Sequence, residues 1–97
     1  MTHERAGAYR RVLKTLDDLG PSRLLRAEQE RVRLAADSLL FCRDLRGDPA
    51  AREALEDIER LCRALVDSNR WVRDTAMRLA DDVSQCGPAL LPELEAA

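Results

Sequence analysis

Four short breaks divide the chain: Gly20-Pro21-Ser22, Gly47-Asp48-Pro49, Asp67-Ser68-Asn69 and Gly87-Pro88. Each is a stop-and-restart signal for helices. Glycine accepts the left-handed conformation that closes a helix, and proline suits the first helical turn, where its missing N–H costs nothing. Gly20, Gly47 and Gly87 are expected in that closing role, with Pro49 behind Asp48 opening the next helix. The breaks predict one domain over 1–97, with helices at about 4–19, 22–46, 49–67 and 69–86 and a tail over 88–97.

Apolar spacing supports this division. In the first segment Tyr9, Val12, Leu13, Leu16 and Leu19 recur at three- and four-residue steps and share one face. The third repeats the pattern with Ala51, Ala54, Leu55, Ile58, Leu61, Cys62 and Leu65, and the fourth with Val72, Ala76, Leu79, Val83 and Cys86. Along the second, Leu25, Val32, Ala36 and Leu39 line one side, while Leu34, Phe41 and Leu45 fall on the opposite one.

Short connections make consecutive helices antiparallel, so the expected fold is an all-α, up-down-up-down four-helix bundle, with two stacked helical hairpins as the alternative. Asp67 to Leu79, with Val72-Arg73 and Ala76, resembles the second helix of a HEAT-type repeat. The resemblance covers one short stretch without a second copy, and solenoids need several.

A chain of 97 residues buries roughly 60–70% of its unfolded surface, enough for one core. That core is aliphatic, because Tyr9, Phe41 and Trp71 are the only aromatics. Trp71 is expected to close one end of the bundle, its N–H reaching water or a carbonyl. No apolar stretch approaches the length of a signal sequence or membrane span, so the expected compartment is the cytoplasm.

Catalysis finds little to work with. The single histidine, His3, lies beside the N-terminus, and no glycine-rich phosphate loop is present. Glu56-x-x-Glu59 resembles the first metal-binding turn of helical nucleotide pyrophosphohydrolases, but Arg78 stands where the second turn needs an acid before Asp81. Cys42, Cys62 and Cys86 lack metal-ligand spacing and read as reduced thiols. Cys42 and Cys86 are expected near one end of the bundle, with His3 in the same neighbourhood, and Cys62 is expected to react slowest. No catalytic, cofactor-binding or metal-binding residue is assigned.

Charge argues against a nucleic-acid partner. Sixteen basic and eighteen acidic side chains leave a net charge of −2. The one candidate patch, Arg10, Arg11 and Lys14 with Arg5 adjacent, is interrupted by Asp17 and Asp18. The expected function is a non-catalytic, self-associating helical module for protein–protein contact, its partner a second copy or another helical protein. The alternatives are a nucleic-acid-linked regulator and a carboxylate-based metal-dependent enzyme. The expected contact surface is Leu34, Phe41 and Leu45, flanked by Glu30, Arg31 and Asp37, an apolar centre with a charged rim.

Overall fold

A computed structural model describes residues 3–88, and the side chains of all of these except 20–22. Four α-helices build it: α1 (His3–Arg23), α2 (Arg26–Leu40), α3 (Pro49–Asp67) and α4 (Arg73–Gln85). No strand occurs among the described residues. Of the expected tail, only Pro88 lies within them.

Contacts between side chains fix the direction of each helix. Tyr9 near the start of α1 donates to Asp37 near the end of α2, while Glu28 at the start of α2 meets Arg70 just past α3. Arg11 of α1 reaches Asp82 and Gln85 at the end of α4. Neighbours are therefore antiparallel, and the chain is an up-down-up-down four-helix bundle. α1 and α3 each pack against α2 and α4, and α2 touches α4 across the centre.

The core follows the apolar spacing, with two exceptions. Val12, Leu16, Val32, Ala36, Leu39, Ile58, Leu61, Leu65, Ala76, Leu79 and Val83 are all buried. Leu25 and Val72, expected in the core stripes, are largely exposed. Both stand at helix N-caps in extended backbone, outside the helical register that would turn them inward. Leu24 is buried in place of its neighbour.

Four helix ends differ from expectation: α2 begins at Arg26 rather than 22 and α4 at Arg73 rather than 69, and distant groups hold the other two. α1 runs through Gly20 and Pro21 to Arg23, whose carbonyl accepts a hydrogen bond from Trp71 Nε1 at 3.1 Å. Trp71 is buried and closes this end of the bundle from the turn before α4, which begins at Arg73. α2 stops at Leu40, six residues short of the expected 46. There the Arg5 guanidinium collects the carbonyls of Leu39 at 2.7 Å, Leu40 at 3.0 Å and Cys42 at 2.7 Å. Leu39 O also accepts from the Cys42 N–H at 3.1 Å, and a cation suits the negative end of the helix dipole.

Local signals set both ends of α3. Asp48 caps α3 by accepting from the Ala51 N–H at 3.1 Å, with Pro49 in the first turn. At the other end Asn69 takes φ 62°, while Arg70 N–H donates to Leu65 O and Asn69 N–H to Val66 O. This double closure satisfies the last carbonyls of α3, and asparagine tolerates the left-handed region better than most residues. Neither Gly47 nor Gly87 is left-handed, contrary to the sequence reading. Gly87 serves close packing instead: a methyl group there would come within 3.0 Å of Leu39 Cδ2. The HEAT-like stretch, Asp67 to Leu79, spans the end of α3, the turn and the start of α4 rather than one helix.

Candidate interaction surfaces

The expected stripe on α2 separates into two parts. Leu34 is 65% exposed and Phe41 75% exposed. Two helical turns divide them, so they share the outer face of α2, with Phe41 as its C-terminal cap residue. Leu45 does not join them. The early end of α2 places it beyond a loop, in a short 3-10 turn, Leu45–Gly47, where it is half-buried against the core. Asp44 caps this turn through the Arg46 N–H, and Arg52 binds the Leu45 and Arg46 carbonyls.

The flanking charges also divide. Arg31 turns toward α3 and binds Asp57 through two bonds of 3.1 and 2.7 Å, holding that carboxyl below its usual range. Asp37 accepts from the Tyr9 hydroxyl, and this bond pushes the phenol's pKa up. Glu30 stays exposed beside Leu34, as do Arg26 and Arg33.

A second surface, not singled out from the sequence, lies between α3 and α4. It is an open groove of about 450 Å3, floored by Cys62, Val66, Ala76, Met77 and Ala80 and rimmed by Glu59, Arg63, Asp67 and Arg73. Met77 is 57% exposed. It stands one position past Ala76 of the core stripe, so helical geometry turns this apolar side chain away from the interior. That displacement is the one signal in the sequence.

The arginine patch on α1 is taken apart by its own neighbours. Arg5 is committed to carbonyls at the ends of α2 and α4, including Cys86 O at 2.9 Å. Arg11 pairs with Asp82 at 3.1 Å and Lys14 with Asp18 at 3.0 Å. Arg10 alone stands exposed without an ion pair among the described residues.

The carboxylates are similarly dispersed. Glu53 and Glu56 are exposed on α3, Glu59 rims the groove, Asp81 is exposed on α4 and Asp82 faces Arg11. Among the described residues, no three His, Cys, Asp or Glu side chains converge as a metal would require.

Arg5 bonds to the carbonyls of both Cys42 and Cys86, so these cysteines do share one end of the bundle, with His3 exposed two residues before Arg5. All three cysteines are free thiols and buried. Burial pushes each thiol's pKa up, Cys86 to about 11. Cys62, expected to react slowest, is buried but keeps the most exposure of the three, 7% at the groove floor, while Cys42 keeps 2% and Cys86 none. No helix among the described residues is long and apolar enough to cross a membrane.

Comparison with known protein families, with curated proteins and with solved structures finds no match to this chain.

Proposed function

We propose that the chain is a non-catalytic helical module that acts through protein–protein contact and associates with copies of itself. The observation that carries this reading is the outer face of α2. Four helices satisfy one another in a closed aliphatic core, yet Leu34 and Phe41 stand mostly in water on one side of one helix. Single exposed leucines are ordinary, but two large apolar side chains on one face, beside exposed Arg26, Glu30 and Arg33, have the make-up of an interface with a charged margin. Mixed charges along that margin suit a partner surface of mixed charge better than a polyanion, and a second copy carries such surfaces.

Sedimentation from micromolar to millimolar concentration tests the reading. The mass should rise with concentration, and Leu34→Glu should hold the protein monomeric with its helicity intact. A wild-type chain that stays monomeric throughout overturns it.

A further inference from the structure

We infer that the outer face of α2 seats in the α3–α4 groove of a second copy, joining copies ridge to groove rather than like face to like face. The inference rests on the self-association just proposed and names the surface that receives Leu34. Each face offers what the other lacks. On α2 a leucine projects beyond the helix surface, while between α3 and α4 an apolar floor with a half-exposed methionine, Met77, lies open.

Charge supplies the register. Along the α3 rim, Glu59, Arg63 and Asp67 are exposed at four-residue steps and read minus, plus, minus. On α2 beside Leu34, Arg26, Glu30 and Arg33 are exposed at steps of four and three and read plus, minus, plus. At the helical rise these rows span about 12 Å and about 10.5 Å, so three opposite pairs form in one alignment. Within the chain the rows are nearly uncommitted: Arg26 and Glu30 lie 3.9 Å apart, and Arg33, Glu59, Arg63 and Asp67 make no ion pair among the described residues.

Like-to-like docking does worse. Two α2 rows overlapped in full set Glu30 against Glu30 and arginine against arginine, and two α3 rims repeat the conflict with the signs exchanged. A ridge and a groove on different faces of one copy also make the contact heterologous. Copies then add head to tail, closing into a ring where the rotation permits.

Two variants and their mixture decide the matter. Leu34→Glu spoils the ridge and leaves the groove; Met77→Glu spoils the groove and leaves the ridge. Both positions are more than half exposed, so each variant should keep wild-type helicity and melting. Each alone should be monomeric, and an equal mixture should form a species of twice the monomer mass, because one intact ridge meets one intact groove.

Met77→Glu associating like the wild type overturns the inference while leaving self-association through α2 standing. A mixture that remains monomeric overturns it as well, and a monomeric wild type overturns both. Charge reversal gives an independent check: Glu30→Arg and Arg63→Glu should each weaken association by about tenfold or more, and the two together should restore it. An additive double variant defeats the proposed register.

Discussion

The Trp71 indole N–H donates to the Arg23 carbonyl at 3.1 Å, joining the last residue of α1 to the turn that precedes α4. One side chain thus fills the end of the core and satisfies a carbonyl that the helix has left without a partner. The two roles separate by substitution. Trp71→Phe keeps most of the packing and loses the bond, for about 1 kcal/mol, or roughly 4–8 °C in melting temperature. Trp71→Ala also opens a cavity and should cost about 3–5 kcal/mol. Equal melting of the two variants would show that the hydrogen bond is the whole contribution.

Arg5 should be the most damaging surface arginine to lose. Its guanidinium serves carbonyls at the ends of both α2 and α4, a geometry that a lysine ammonium cannot reproduce. Arg5→Met should destabilise by about 2–3 kcal/mol, and Arg5→Lys should recover little of it. Amide exchange near residues 39–42 and 83–87 should accelerate first. Unchanged exchange there would contradict the clasp.

Thiol labelling under native conditions should proceed in the order Cys62, Cys42, Cys86. Access and ionisation agree on the last place, since Cys86 is fully buried and its pKa is pushed up to about 11. Single serine variants followed by mass spectrometry assign the rates. Cys62 reacting slowest would contradict the open groove.

Stability should fall at both extremes of pH. Arg70 holds Glu28 below its ordinary 4.5, and Arg31 holds Asp57 below 3.8. A lowered folded pKa contributes stability above the unfolded value and loses it as pH falls through the folded one, so melting should drop below about pH 4.5. Tyr9 has the opposite sign: its pKa is raised from 10.0 by the bond to Asp37, so its contribution is complete below pH 10 and fades as pH rises through the folded value. Glu28→Gln should flatten the acid limb and Tyr9→Phe the alkaline one. Limbs unaltered in these variants would assign the dependence to other groups.

How much of this is legible in the sequence depends on how far each cause acts along the chain. The ends of α3 are readable because Asp48, Pro49 and Asn69 act on their immediate neighbours. The end of α2 is not, because it is set by Arg5, more than thirty residues away. Leu45 follows from the same cause: its place opposite the core stripe assumes a helix that has already stopped. Spacing places Leu34 and Phe41 opposite the core stripe but the fold decides that they are exposed, and the α3–α4 groove likewise depends on how two helices lie together.

The clasp between Arg5 and Cys86 also sets an order of events during synthesis. Its two partners are separated by 81 residues, so the first turn of α1 emerges from the ribosome long before one of its carbonyls exists. α1, α2 and α3 can assemble early, but the bundle locks only when the last turn of α4 arrives. Nascent chains arrested before residue 86 has emerged should therefore remain protease-sensitive at α1, and those extended past it should become resistant in a single step.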